Sequence, residues 1–311
     1  LSAVRVFDDR VMLNRRDFVS ALGAVLPLAD ALAAEPFRAL KKSPRMPVLF
    51  LGHGSPMNAI GDNAYRRSWQ ALGAEFGSTY PTPQLILCVS AHWLTRGGWF
   101  LTGMAKPKTI HDFGGFPQEL FDQQFPAPGA PAAVAEIAQA VRQPMSGAAL
   151  GIDQEEWGFD HGTWSVLKPM FPKAQIPVVQ LGMDYGRAPA EHAMLGQQLK
   201  VLRERGVLIV GSGNLVHNLR VTRRGTAPNQ AYDWAHEFDR VVAGQLEKGD
   251  LAALPRFQSL GALAQQAHPT HEHYLPLLYA AGAVDAGKET PRFFNADFQS
   301  ASISMRSVVW G

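Results

Sequence analysis

Three of the ten histidines share one address in the chain. His53 follows an apolar run ending at Leu51, within Gly52-His53-Gly54-Ser55-Pro56. His92 follows a run ending at Val89, within Ser90-Ala91-His92-Trp93, and His217 follows Val207 to Val210 and then Gly211-Ser212-Gly213-Asn214. In open α/β sheets, ligands bind in the crevice beyond the carboxyl ends of the strands, so imidazoles that leave strand ends converge there. Imidazole is a ligand for zinc, iron, copper and nickel, and three converging rings point to a mononuclear metal site. A lone histidine in such a place is more often a core residue satisfied by backbone hydrogen bonds; the coincidence of three favours the metal. The glycines beside His53 and before His217 are expected to let the backbone turn sharply and to leave space beside each ring.

A fourth ligand is expected from Pro269-Thr270-His271-Glu272-His273-Tyr274-Leu275-Pro276, which opens an apolar segment running to Tyr279. Consecutive helical residues point about 100° apart, so only one of His271, Glu272 and His273 faces a given point. A carboxylate would complete the two-histidine, one-carboxylate triad of non-haem iron oxygenases, whereas a histidine would give a more zinc-like set. Composition does not choose between them. His111, in Ile110-His111-Asp112-Phe113-Gly114-Gly115-Phe116-Pro117, and His161, in Trp157-Gly158-Phe159-Asp160-His161-Gly162-Thr163-Trp164, lie among aromatics and glycines suited to walling a flat ring. Both are candidates for acid/base work or substrate contact. His192 and His236 fall in predicted helices among charged residues, and His268 in a loop; surface or capping roles are expected for these.

The elements that must position these rings read as an α/β domain. From Met46 onward, short runs rich in Val, Ile and Leu alternate with amphipathic segments, as parallel strands with crossover helices do. Strands are expected over Pro47 to Leu51, Leu85 to Ser90, Pro177 to Leu181, Val207 to Val210 and Ile303 to Val309. Helices are expected over Ala64 to Phe76, Ala130 to Val141, Ala190 to Arg205 and Ala231 to Glu247. In the third helix Leu195, Leu199 and Leu202 share one face, which should lie on the sheet. The expectation is a single domain over 46–311, with a central mostly parallel or mixed sheet flanked by helices, the metal site at the strand ends, and a large loop from Lys106 to Pro131.

The 311 residues are 46% hydrophobic and 18% charged, enough for a sizeable core, and the formal charge of +2 gives no field suited to nucleic acid. The single Cys88, inside an apolar run, is expected to be a buried, inert thiol and excludes an intramolecular disulfide. Residues 1–45 form an N-terminal extension of different character. After Met12 come Arg15, Arg16 and Phe18, then a modestly apolar run from Ala21 to Leu32 broken by Pro27 and Asp30, then Ala31-Leu32-Ala33. This resembles a twin-arginine export signal over 12–33, a route that carries folded, metal-loaded proteins and would place the protein in the periplasm. The apolar run is too short to span a membrane stably.

Taken together, Gly-His-Gly-Ser-Pro at 52–56, Ser-Ala-His-Trp at 90–93, Ile-His-Asp-Phe-Gly-Gly-Phe-Pro at 110–117, Trp-Gly-Phe-Asp-His-Gly at 157–162, Gly-Asn-Leu-Val-His-Asn at 213–218 and Glu-His-Tyr-Leu-Pro-Leu at 272–277 resemble the 4,5-DOPA extradiol dioxygenase family. That family is a branch of the LigB superfamily, and the likeness runs from about Met46 to the C-terminus. The resemblance implies a metal-dependent, extradiol ring-opening dioxygenase that joins O2 to a small DOPA-like catechol and yields a muconic semialdehyde. It implies one divalent metal held by His53, His92, His217 and His273, with zinc found in the branch and Fe(II) expected for oxygen chemistry. In related ring-cleaving enzymes a glutamate holds the place of His273, and the counterpart of His217 is an acid/base group. His217 is therefore a ligand in a resting zinc form or an acid/base group in a turning-over iron form, with His161 and His111 as further catalytic candidates. A zinc-dependent hydrolase and a non-catalytic binding protein like those of the Memo family are the rival readings.

Overall fold

The apolar runs that lead into the histidines are strands buried on both faces. A computed structural model describes residues 37–311, so the leader expected over 12–33 lies outside the described residues. Strand β1 (Val48–Gly52) is followed by α1 (Ala64–Glu75), β2 (Leu85–Ser90) and two short strands, β3 (Leu94–Thr95) and β4 (Phe100–Thr102). Next come α2 (Gln118–Phe121), α3 (Pro131–Ala140), β5 (Gly151–Asp153), α4 (His161–Met170), β6 (Val178–Asp184), α5 (Pro189–Leu199) and β7 (Val207–Gly213). The chain ends with α6 (Asp233–Glu247), α7 (Ala262–Ala267), α8 (Leu275–Gly282), β8 (Arg292–Phe294), β9 (Phe298–Gln299), β10 (Ile303–Ser304) and β11 (Ser307–Trp310).

The sheet runs β5-β4-β6-β2-β7-β1-β11-β8. Its centre, β6-β2-β7-β1, is parallel, while β11 and β8 on one side and β4 on the other are antiparallel to their inner neighbours. This is the mixed sheet expected from the sequence. Val48, Phe50, Leu85, Leu87, Val89, Val207 and Ile209 face one layer, with α3, α5, α6 and α8. Leu49, Leu51, Ile86, Cys88, Leu208 and Val210 face the other, with α1 and α4. Because both faces are covered, these strands read as continuous apolar runs rather than alternating ones.

Local chemistry sets the helix ends. Asn63 caps α1 by accepting from the Arg66 amide at 2.9 Å, and Asp160 caps α4 through the Thr163 amide at 3.1 Å. Leu195, Leu199 and Leu202 are all buried as expected, but the helix predicted over 190–205 is α-helical only to Leu199. Residues Lys200–Arg205 tighten into a 3-10 turn that stops at Gly206, whose φ of +70° suits glycine. The strand expected over Ile303 to Val309 is divided between β10 and β11. Arg306 forms an ion pair with Asp239 on α6, and Ser304 Oγ donates to the same carboxylate at 2.6 Å, so the chain steps out between the two pieces.

Two expectations about histidines fail here. His192 and His268 are buried, not at the surface. His192 Nδ1 lies 2.6 Å from the Tyr279 hydroxyl, which also accepts from Trp99 Nε1, and His268 Nε2 donates to the Leu215 carbonyl at 2.8 Å. A buried polar partner, the Tyr279 hydroxyl for His192 and the Leu215 carbonyl for His268, lets each ring lie in the core. Cys88 is buried as expected, and burial pushes its thiol up to about 12. Upstream of Met46, Phe37 and Leu40 pack into the core. Among the described residues, no helix is long and apolar enough to cross a membrane.

Candidate metal centre

Adjacent strands deliver the first rings. β1 and β2 flank β7, and Leu51 and Ser90 both register with Ser212. His53 and His92 therefore leave the sheet on either side of Ser212. His53 is almost wholly buried, and its amide donates to the Gly213 carbonyl at 3.1 Å. The turn after it needs Gly54, with φ of +56°. The glycines before His217 act otherwise than expected: they stay in β7, and a side chain on Gly213 would strike the His273 carbonyl. Their small size lets the entry to α8 lie directly on β7, where the Asn214 amide donates to that carbonyl at 2.9 Å. This contact brings His273 to the site.

Hydrogen bonds fix which nitrogen of each ring is free. Ser212 Oγ donates to the Gly162 carbonyl at 2.5 Å, so it accepts from His53 Nδ1 at 3.0 Å. Asp112 Oδ2 lies 3.2 Å from His92 Nδ1 and 3.0 Å from His161 Nδ1, and its Oδ1 accepts from the His161 amide at 2.9 Å. With Nδ1 protonated in each case, the Nε2 atoms of His53, His92 and His161 carry lone pairs. The Nε2 atoms of His53 and His92 face each other at 3.2 Å with no proton to share. That separation is about that of two nitrogens on one tetrahedral ion, whose metal–nitrogen bonds are roughly 2.0–2.1 Å. The donor set fits a cation.

His273 is oriented the same way, by Glu272 Oε1 at 3.1 Å from its Nδ1. Glu272 thus stands behind the ring, itself held by Thr270 Oγ1 at 3.0 Å. The His273 ring lies 5.3 Å from that of His53 and 5.0 Å from that of His92, and it stacks on His217 at 3.4 Å. Donor atoms gather in two triplets, His53 with His92 and His161, and His217 with Glu272 and His273. The four residues predicted as ligands are split between them, and His161 stands closer to the first pair than an acid/base role required. All five histidines line one cavity of about 640 Å³, within the range of roughly 300–1,000 Å³ usual for small-molecule sites.

Burial, and then the neighbouring rings, hold His53, His92 and His273 far below the usual imidazole range, and burial followed by His161 brings His217 down to about 4. The rings are neutral and available to a metal at neutral pH. Burial alone would raise Asp112, but the hydrogen bond from the His161 ring, the attraction of the His161 and His92 Nδ1–H groups and the His161 amide outweigh it and hold the carboxylate at about 2. Beneath it, Asp160 accepts from Ser90 Oγ at 2.6 Å, and burial followed by the charge of Asp112 pushes it up to about 6.

Phe113 and Phe116 form an edge-to-face pair, 5.3 Å between centroids, on one wall of the cavity. His111 does not line it. Its Nε2 donates to the Gln123 carbonyl at 2.9 Å, and its ring packs behind Phe113 and against Trp164, so this candidate supports the aromatic wall and does not reach the cavity. The residue of that motif that reaches the histidines is its neighbour Asp112. Sequence reasoning missed Asp112 and Ser212, although both lie in the motifs it quoted.

Residues 47–307 match the family described as the catalytic LigB subunit of aromatic ring-opening dioxygenase. A 4,5-DOPA dioxygenase extradiol of Escherichia coli K12 is 46% identical over 277 residues, spanning 88% of this chain and 97% of its own length. Another, from Beta vulgaris, is 32% identical over 256 residues, spanning 79% of this chain and 90% of its own length. The crystal structure of the Escherichia coli K12 protein JW3007 superposes with a TM-score of 0.72 at 40% identity, covering 86% of this chain and all of the other.

Proposed function

The chain belongs to the LigB family and is an extradiol ring-opening dioxygenase; we propose that its substrate is a small DOPA-like catechol, opened beside the diol to a muconic semialdehyde. The observation that carries this is the meeting, in one cavity, of five histidines with an aromatic wall from Phe113 and Phe116. In this reading His53, His92 and His273 hold one divalent ion through Nε2, and His217 is a fourth ligand in a resting zinc form. Fe(II), when bound, supplies the means to hold diol and O2 together and to pass electron density between them.

The chain's own residues supply the rest. Ser212, Asp112 and Glu272 keep three imidazoles in the tautomer that offers Nε2 to the ion, so their proton-bearing nitrogens point away from it. A catechol chelating through both oxygens must lose two protons. His161 would be placed to take one at Nε2, because Asp112 accepts at its Nδ1 and would stabilise the charged ring. His217 is the second candidate for that work. Phe113 and Phe116 hold the ring edge-on and exclude water. The motif over 12–33 supports export by the twin-arginine route, and loss of periplasmic protein on changing Arg15 and Arg16 to lysine is the expected outcome.

Oxygen uptake by protein reconstituted anaerobically with Fe(II), followed against a panel of catechols beside a zinc-loaded control, tests the reading. Stoichiometric uptake with a yellow semialdehyde, seen only with iron, is expected. Silence across the panel with iron demonstrably bound would overturn the catechol assignment.

A further inference from the structure

Arg224 lines two cavities at once. One is the histidine cavity, and the other is an adjoining space of about 500 Å³ that Arg223, Thr226 and Gln230 also line. In the histidine cavity Asp112 is the only carboxylate among the lining residues, and both its oxygens are committed to His92 and His161. Arg224 is the only lining residue there with a permanent positive charge, and among the described residues no carboxylate pairs with it. The adjoining cavity has no acidic residue in its lining.

The segment that carries Arg224 is built and anchored. The Arg223 amide donates to the Ser300 carbonyl at 2.9 Å, and its guanidinium lies 4.4 Å over the Tyr232 ring. The Tyr232 hydroxyl donates in turn to the Val221 carbonyl at 2.9 Å, closing the loop on itself. Arg223 is thus spent on structure, and Arg224, next to it, is left at the junction of the two spaces. A planar guanidinium with five donors and no partner matches a carboxylate.

We propose that the adjoining cavity is a subsite for an anionic substituent on the substrate, read by Arg224, so that the preferred substrates are catechols bearing a carboxylate side chain. This rests on the catechol reading above and sharpens it. Neither cavity offers an uncommitted carboxylate to an ammonium group, so an amino substituent adds nothing, and an arylalkanoate binds at least as well as the corresponding amino acid.

The test compares 3-(3,4-dihydroxyphenyl)propanoate, 4-methylcatechol and 4-(2-aminoethyl)catechol on Fe(II)-loaded protein, by anaerobic calorimetry for binding and by kcat/KM. The acid is expected to be preferred over the neutral catechol by about tenfold, the equivalent of one charge-assisted pair. In Arg224→Ala the ratio falls to near unity, in Arg224→Lys it is partly kept, and in Arg224→Glu it inverts in favour of the amine. Added salt should shrink the wild-type ratio. A ratio that Arg224→Ala leaves unchanged, with 4-methylcatechol turned over, overturns this subsite alone. Failure of the wild type to bind or open 4-methylcatechol at all overturns the catechol reading, and the subsite with it.

Discussion

The two halves of the histidine cluster are held in different ways. On one side, His53, His92 and His161 each have Nδ1 tied to an oxygen of Ser212 or Asp112; Ser212 Oγ in turn donates to the Gly162 carbonyl, and the other oxygen of Asp112 accepts from the His161 amide. On the other, His273 is tied to Glu272, but the ring of His217 has no described hydrogen bond and is placed by stacking on His273. A ring whose second nitrogen is fixed keeps one tautomer and one direction, which suits a permanent ligand. A ring held only by stacking can carry its proton on either nitrogen, which suits proton transfer. The contrast marks His53 and His92 as fixed ligands, leaves His161 beside them for proton transfer with Asp112 behind it, and separates His217 from its neighbour His273.

The largest effects should come from the fixed side. His53→Ala or His92→Ala removes one of two Nε2 atoms 3.2 Å apart, and metal content measured after desalting should fall below a tenth of an equivalent, with turnover lost by at least about 10³-fold. Full occupancy in both variants would end the assignment. His217→Ala probes the loose side. Three imidazoles remain, so metal should stay bound at one equivalent while kcat falls by roughly 10²–10⁴, the range for removing an acid/base group. Loss of the metal instead would make His217 an obligatory ligand and erase the distinction between the halves.

The strand ends that carry His53 and His92 were legible because a strand buried on both faces is a short continuous apolar run, and the next polar residue marks its end. The layers and the mixed sheet follow from the same pattern. Helix α4 was not legible. It is buried on nearly every side, so it shows no apolar stripe, and Pro169 lies within it. The short strands β3, β4 and β5 have two or three residues each, too short for a period to register. In the loop from Lys106 to Pro131 no period relates neighbours, so nothing in the pattern says that Asp112 turns towards the histidines and His111 away. His192 and His268 were misread because burial of one polar atom depends on one distant partner, Tyr279 or the Leu215 carbonyl, which local sequence does not report.

A smaller effect separates orientation from ligation. Asp112 binds both His92 and His161 but lies behind their rings, so Asp112→Asn should weaken metal affinity by roughly 10–100-fold without abolishing it. Competition with a chromophoric chelator reads this directly. The pH profile of kcat should change as well, since the amide no longer stabilises a charged His161. Glu272→Gln touches one ring only and should cost less. If Asp112→Asn matches His92→Ala in metal loss, Asp112 is not acting through the rings, and the fixed half of the cluster needs a different description.

The smallest effect tests whether the cluster's neutral histidines differ from histidines that are merely buried. Burial, opposed by the hydrogen bond to Leu215, holds His268 at about 3. Unfolded, it would titrate near 6.5. The unfolded chain therefore binds more protons than the folded one between these values, so the stability due to neutral His268 is complete above 6.5 and is lost as pH falls below it. At pH 5.5 the loss is about 1.4 kcal/mol. In chelated protein, ΔG of unfolding should fall between pH 7.5 and 5.5, and His268→Gln should remove about that much of the fall whatever it does to the level at pH 7.5. The metal-loaded protein should keep the whole slope, because His53, His92 and His273 are neutral in the folded state with or without an ion on Nε2 and take up protons only on unfolding. A steeper slope with metal than without would mean that those rings take up protons in the folded, metal-free protein.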